Sequence, residues 1–337
     1  MKRFQNGTLR LGPPKMDGLL RKMSGSSSFL HGAPTAAWKI KNYDLGATLD
    51  SGQVFRWNRV GDAWEGVVLG RWVRLIQAGN ILAAQSTDPG NDWLWLEDYL
   101  QINVSIDSVI QTFPRDRPMI TALSCCKGLR LLRQEPWECL ASFILSSTKQ
   151  ITQIRQIISL LSSQFGRPLA VPTGVKPIYA FPSPRDLVGA SEAGLRDCKM
   201  GFRAPHLLTA ARAIVEGRLN LESLYKMEML DARDQLMCLR GVGEKIAHCV
   251  LLFAFGFDQA FPIDVWVERT LKDLYFRGKQ VSKPELQAFA ASHFGPHAGY
   301  AQQYLFHQAR KRSGKVSPPE NALSDLDTHA SQSKNTA

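Results

Sequence analysis

Leu239-Arg240-Gly241-Val242-Gly243-Glu244-Lys245-Ile246-Ala247 is the stretch that decides how the C-terminal half of this chain folds. Apolar spacing predicts one helix over Leu230–Leu239 and another over Lys245–Phe255, with two glycines flanking Val242 between them. The glycines supply a positive-φ turn and let another group approach the backbone closely. The second helix opens with unpaired N–H groups at the positive end of its dipole, which together attract a phosphate. Two helices joined in this way grip a nucleic-acid backbone without reading its sequence. An αα-hairpin with no ligand has the same sequence pattern, so these nine residues alone leave both readings open.

Helical periodicity extends on either side, over Ile151–Phe165, Arg203–Glu216, Val265–Tyr275, Lys283–Phe294 and Ala298–Lys311, and Pro136 can open an earlier helix. Upstream the pattern changes. Gln53–Asn58, Ala63–Leu69, Trp72–Ile76 and Ile81–Gln85 are short segments rich in β-branched and aromatic residues, separated by Gly61-Asp62, Gly70-Arg71 and Gly79-Asn80. That spacing predicts an antiparallel meander, followed by a helix over Asn91–Gln101 capped by Asn91 or Asp92. The expected fold class is α+β: a small N-terminal antiparallel β domain over 37–125, then a mostly helical domain over 126–312. Residues 1–36 and 313–337 read as a flexible basic arm and a disordered tail.

The 337 residues are 44% hydrophobic and 21% charged, which suits a soluble globular protein of two or three packed domains. No apolar run approaches the roughly 18 residues that a membrane span needs. The net charge of +11 is concentrated at the ends: residues 1–36 carry Lys2, Arg3, Arg10, Lys15, Arg21 and Lys22 against Asp17 alone. Total charge is therefore a weak pointer to nucleic acid, and local placement has to carry that case. The N-terminus lacks the apolar segment of a secretory signal; its basic, acid-poor composition would also suit an organellar transit peptide. Six cysteines without CxxC pairs read as reduced thiols of an intracellular protein.

Lys245 falls in the first turn of the second hairpin helix, where the dipole disfavours a cation and so favours the neutral amine. A neutral lysine amine is a nucleophile that forms Schiff bases. An ordinary solvated lysine would occupy the same position, and helix placement alone does not separate the two. Nineteen residues on, Asp264 in Pro262-Ile263-Asp264-Val265 sits where a helix N-cap belongs. Capping is compatible with a second role, stabilising positive charge that develops on a sugar ring.

Gly-Val-Gly-x-Lys followed by Pro-Ile-Asp-Val resembles the core of the helix-hairpin-helix DNA glycosylases. The likeness to their 8-oxoguanine branch is closer still and covers roughly residues 38–312. Ser51-Gly52-Gln53-Val54-Phe55-Arg56-Trp57 resembles that branch's Ser-Gly-Gln-x-Phe-Arg-Trp segment. Gly128 to Leu140, with its Arg-Leu-Leu-Arg-Gln-Glu-Pro run, is similar to a second block, and Gly201-Phe202-Arg203-Ala204 and Gly295 to Gln302 match two more.

This resemblance implies a base-excision-repair enzyme, a bifunctional DNA glycosylase and AP lyase acting on duplex DNA that contains 8-oxoguanine. Lys245 would attack C1′, Asp264 would support the electron-deficient sugar, and β-elimination would follow. The target nucleotide must leave the stack, because its C1′ is inaccessible within a duplex. By the same likeness the Gly52 carbonyl accepts from N7–H, a donor that guanine lacks. Cys249 and Phe306 would sandwich the base, and Gln302 would read its pairing edge. Gly241, Val242, Gly243, Thr148, Phe202 and Arg203 would contact the DNA.

The chain departs from the family around Ser146-Ser147-Thr148-Lys149-Gln150, where well-known members carry Asn-Asn-Asn after the serines. Gln153 replaces an Arg that reads the opposite cytosine, Phe202 replaces a Tyr wedge and Trp266 replaces a phosphate-contacting His. The departures predict weaker dependence on cytosine opposite the lesion. No cysteine follows Cys249 and no Cys/His cluster suggests zinc, so neither an iron–sulfur cluster nor any other cofactor is expected. A monomer located inside the cell with its DNA is the expected state. The alternatives are an alkylated-base glycosylase, whose members typically lack the hairpin lysine, and a non-catalytic DNA-binding module.

Overall fold

The computed structural model describes residues 10, 33–90, 92–147 and 149–314. The two expected terminal segments therefore lie almost entirely outside the described residues, as do Asn91 and Thr148.

Five strands form one antiparallel sheet in the order β1-β5-β4-β3-β2: β1 Thr35–Lys39, β2 Asn58–Val60, β3 Ala63–Val68, β4 Arg71–Ala78 and β5 Ile81–Ser86. The turn pairs Gly61-Asp62 and Gly79-Asn80 fall where expected, and Leu69-Gly70 closes the middle hairpin one residue earlier than predicted. Within the sheet, Glu65 and Arg74 are direct cross-strand partners and form a largely buried ion pair of 2.5 Å. Trp38, Leu75, Leu82 and Ala84 on one side of the sheet pack with Trp93, Leu96 and Leu100 into a core of their own.

Two readings of this half need correction. β1 starts at Thr35, inside the stretch expected to be an arm, because Ala36 and Trp38 are buried and their backbone completes the edge of β5. Gln53–Asn58 is not a strand: residues 50–57 bend, and only Asn58–Val60 pairs with β3. The physical reason is that Gly52 sits at φ +86°, and that Gln53 uses its side chain to bond another part of the chain.

The helices are α1 Leu45–Leu49, α2 Leu94–Leu100, α3 Ile106–Ile110, α4 Arg117–Cys125, α5 Pro136–Ser146, α6 Ile151–Phe165, α7 Pro184–Val188 and α8 Glu192–Leu195. They continue with α9 Ala204–Val215, α10 Leu221–Leu224, α11 Met229–Met237, α12 Glu244–Val250, α13 Val265–Tyr275, α14 Lys283–His293 and α15 Ala298–Arg312. α2 is shorter than expected: it begins at Leu94, whose N–H is accepted by Asp92 Oδ1 at 3.0 Å. α12 runs on into a wider, π-type turn over Leu251–Phe255, so the second hairpin helix is one rod. The long helices enclose a second, larger core that includes Phe143, Leu207, Ile246, Phe253, Leu271 and Tyr304. No described helix is long and apolar enough to cross a membrane.

The two cores are joined by hydrogen bonds that the sequence blocks make to one another. Gln53 is fully buried; its Nε2 donates to Arg130 O at 2.8 Å and Thr48 O at 2.9 Å, and its Oε1 accepts from Leu132 N at 2.8 Å. Gln134 Nε2 donates to Gln53 O at 2.7 Å. Further along, Arg56 and Glu138 face each other at 3.7 Å, and burial pushes the Glu138 carboxyl up to about 7 against the pull of Arg56. The six cysteines are all free thiols, and Cys238 alone among them is exposed.

Replacing Gln53 by Leu leaves at least two buried backbone groups without partners. The expected loss is about 3 kcal/mol, visible as a thermal midpoint lowered by roughly 5–10 °C. An unchanged midpoint would show that the amide is not structurally important.

Candidate active site

The hairpin forms as the sequence requires. Gly241 adopts φ +88°, and a Cβ there would lie 2.4 Å from His206 Nδ1, so backbone conformation and space both demand glycine. Val242 turns inward and is buried, which anchors the turn, whereas Gly241 and Gly243 stay exposed. Gly243 is the N-cap of α12 and has no side chain to satisfy the N–H groups of the first turn. Those donors are left for an external acceptor.

Lys245 follows directly and points the other way, into a cavity of about 610 Å³ between the sheet-domain loop and the helices. Its Nζ donates to Ser146 Oγ at 3.4 Å and stands 5.2 Å from the Phe143 ring centroid. No ion pair joins it to Asp264, although both line the same cavity. Asp264 caps α13: its Oδ1 accepts from Val267 N at 2.8 Å, which fixes the carboxylate at the cavity wall. The cap expected of Asp264 is thus formed, with its carboxylate in the same cavity lining as Lys245.

Gly52, Cys249, Gln302 and Phe306 line this cavity with Lys245 and Asp264. A Cβ on Gly52 would sit 3.3 Å from Phe306 Cε1 and 3.2 Å from Ile151 Cδ1, so a side chain there would crowd the aromatic wall. Burial pushes the Cys249 thiol up to about 11, opposed by the nearby Lys245. It is therefore a neutral wall and not a competing nucleophile at physiological pH. Gln302 is buried and its Oε1 has no hydrogen-bond partner among the described residues. An unmet buried acceptor is costly unless a ligand completes it. Among the described residues no group of three or more His, Cys, Asp or Glu could hold a metal ion.

Two family-model matches tile the chain: "8-oxoguanine DNA glycosylase, N-terminal domain" over residues 37–140, and "HhH-GPD superfamily base excision DNA repair protein" over 141–295. The chain is 32% identical to the N-glycosylase/DNA lyase OGG1 of Arabidopsis thaliana over 302 residues, covering 82% of this chain and 81% of that protein. It belongs to the 8-oxoguanine DNA glycosylase family. A probable N-glycosylase/DNA lyase of Methanothermobacter thermautotrophicus is also 32% identical, over 60% of this chain and 70% of its own length. The fold is similar to that of the Clostridium acetobutylicum 8-oxoguanine glycosylase/lyase solved with duplex DNA carrying cytosine opposite 8-oxoG. That match has a TM-score of 0.78 at 29% identity and covers 84% of this chain and 99% of the other.

Of the other residues singled out from the sequence, Trp266, Lys149 and Gln150 also line the cavity, whereas Phe202 and Arg203 do not. Phe202 is 59% exposed. Arg203 is not exposed: it is folded back on the carbonyls of Ser147 and Met200, with its guanidinium 4.3 Å from the Phe202 ring centroid. Thr148 lies outside the described residues. Sequence reasoning missed Asp50, Phe143, Ser146, Arg155 and Arg310, all of which line the cavity. For Arg310 a signal was present, since it stands four residues beyond Phe306 and eight beyond Gln302 on one helix face.

Asp264→Asn separates capping from chemistry, because Asn caps as well as Asp. Its folding stability should stay within about 0.5 kcal/mol of the parent, while excision should slow about 100-fold or more. An Asn variant with undiminished excision would assign Asp264 a capping role alone.

Proposed function

We propose that Lys245 is the nucleophile of a base-excision-repair reaction on 8-oxoguanine in duplex DNA, with Asp264 beside it. The chain is a bifunctional N-glycosylase/DNA lyase, and the observation that carries the assignment of roles is the Lys245 amine in a cavity walled by Gly52, Cys249, Gln302 and Phe306. Of the two lysines that line it, Lys149 and Lys245, Lys245 is the one set beside Cys249 on the hairpin helix. The ligand it best accommodates is one flipped purine nucleotide.

In the first step the neutral Lys245 amine attacks C1′ as the C1′–N9 bond breaks, and the bonding pair leaves with the base, which takes up a proton. Asp264, held by its cap bond, stabilises the positive charge that develops on the sugar. Ring opening at O4′ with loss of the amine's proton gives the protonated Schiff base. Removal of a proton from C2′ then sends electrons toward the iminium and expels the 3′ phosphate by β-elimination. Phe202 fills the space left in the stack, and the exposed donors around Gly243 hold a backbone phosphate.

Opposite-base reading is relaxed. Gln153, at the position where the family carries a cytosine-reading Arg, spends its Oε1 accepting from Gln150 N at 3.1 Å at the start of α6. Arg203 must leave two backbone carbonyls before it can reach the other strand. Both features favour tolerance of bases other than cytosine. The enzyme acts as a monomer, within the cell where its DNA lies.

Lys245→Gln should retain binding to an 8-oxoguanine duplex and lose base release and strand incision together; incision that survives the substitution would refute the assignment. For the parent enzyme, single-turnover excision rates opposite cytosine, thymine, guanine and adenine should fall within about threefold of one another. A preference for cytosine above about tenfold would contradict relaxed reading.

A further inference from the structure

Two lysines line the cavity, and the reaction above uses only one of them. Lys149, just ahead of α6, is half-buried, and among the described residues its ammonium meets no acid and no hydrogen-bond acceptor. The other charges of the wall are engaged. Arg155 faces the Asp50 carboxylate at 3.5 Å, Arg310 donates to Asp50 O at 2.9 Å, Lys245 donates to Ser146 Oγ, and Asp264 caps α13. The wall is also unbalanced in sign, with these three cations and Lys149 set against Asp50 and Asp264 alone. A ligand that fills the cavity strips water from the Lys149 ammonium, which is costly unless the ligand brings an anion to it.

The root of Lys149 decides which part of a nucleotide that anion belongs to. Ser146, the last residue of α5, accepts from Lys149 N through its carbonyl at 3.2 Å and from Lys245 Nζ through its Oγ at 3.4 Å. One residue thus holds the backbone of the first lysine and the amine of the second. With Lys245 at C1′ and the base between Gly52 and Phe306, Lys149 is rooted on the sugar side of the nucleotide. The anionic groups on that side are the phosphates carried by C3′ and C5′. α6 starts at Ile151, two residues on, and the positive end of its dipole adds to the field there. We propose that Lys149 is a substrate-positioning residue that donates to a non-bridging oxygen of one phosphate flanking the flipped nucleotide. This rests on the reading of the cavity as the seat of that nucleotide and of Lys245 as the nucleophile. An ammonium has three donors and no acceptor, and as a compact charge on a flexible stem it suits a phosphate. The contact lies inside the cavity, apart from the exposed donors around Gly243, and it pins the sugar in front of Lys245.

A double cycle tests this with the full-length enzyme. The parent and Lys149→Met are compared on 8-oxoguanine duplexes whose linkages are all phosphodiesters, or in which one uncharged methylphosphonate stands 5′ or 3′ of the lesion. The half-saturating enzyme concentration for single-turnover base release is read in each case. Methionine keeps the apolar stem and removes the charge. Neutralising the contacted linkage should raise half-saturation of the parent about tenfold, and Lys149→Met should raise it by a similar factor on the all-phosphodiester duplex. At that linkage the two changes together should cost no more than either alone; at the other linkage their effects should multiply. Lys149→Met should also reduce the slope of log affinity against log salt by about 0.9, and Lys149→Arg should restore it. Effects that multiply at both linkages would overturn the proposal, as would an unchanged salt slope. Should Lys149→Met fail to fold, Lys149→Gln also removes the charge and must show the same pattern. A parent enzyme that releases no base from any of the duplexes would overturn the reading of the cavity itself; effects that multiply at both linkages with base release intact would overturn Lys149 alone.

Discussion

A single buried amide holds this molecule in its working shape. Gln53 bonds the chain at Thr48, Arg130 and Leu132 at once, and Gln134 returns a bond to its carbonyl. Loop 50–55 thereby becomes a fixed wall between two separately packed cores. Gly52 owes its position at the cavity to its neighbour. Because partly satisfied buried networks are worse than apolar packing, the arrangement specifies one register between the two halves. Gln303 and Arg310 extend it from α15 through Ser51 O and Asp50 O. The wall is thus braced from the sheet side and the helix side.

Against that wall the hairpin presents two faces. The exposed glycines leave backbone donors facing outward, while Lys245, two residues later, lines a cavity whose mixed walls include the rings of Phe55, Phe143, Phe253, Trp266 and Phe306. Ser146 is the polar partner that the geometry gives its amine. Asp264 is held by a cap bond and not by the amine, which in the proposed reaction leaves it available to a sugar cation. Cys249 stays protonated beside both. Preorganisation of this kind places charge where it will be needed before the substrate arrives.

Much of this was legible in the sequence, and the exceptions have common physical causes. Local signals, such as the Gly-Val-Gly turn, the Asp264 cap and the glycine-marked hairpins, depend on neighbours within a few residues and were read correctly. Gln53–Asn58 was misread because its aromatic and β-branched content suits a strand, while its actual constraint is a glutamine bonding a segment nearly eighty residues away. β1 was missed because Thr35-Ala36 gains its burial only by pairing with β5. Gly52, Cys249, Gln302 and Phe306 converge on one cavity, but their convergence follows from likeness to known motifs; from spacing alone plain helix packing is the better account of Cys249 and Phe306, and a polar helix face accounts for Gln302. Arg310 shows the limit most clearly. It stands among several cations near the end of α15, and the fold buries it beside Gly52.

The most direct test is covalent capture. The enzyme is incubated with an 8-oxoguanine duplex under borohydride reduction, digested, and the modified peptide sequenced by mass spectrometry. The account predicts one adduct, a reduced secondary amine joining deoxyribose C1′ to Nζ of Lys245. No adduct, or an adduct on Lys149, the other lysine lining the cavity, would contradict it.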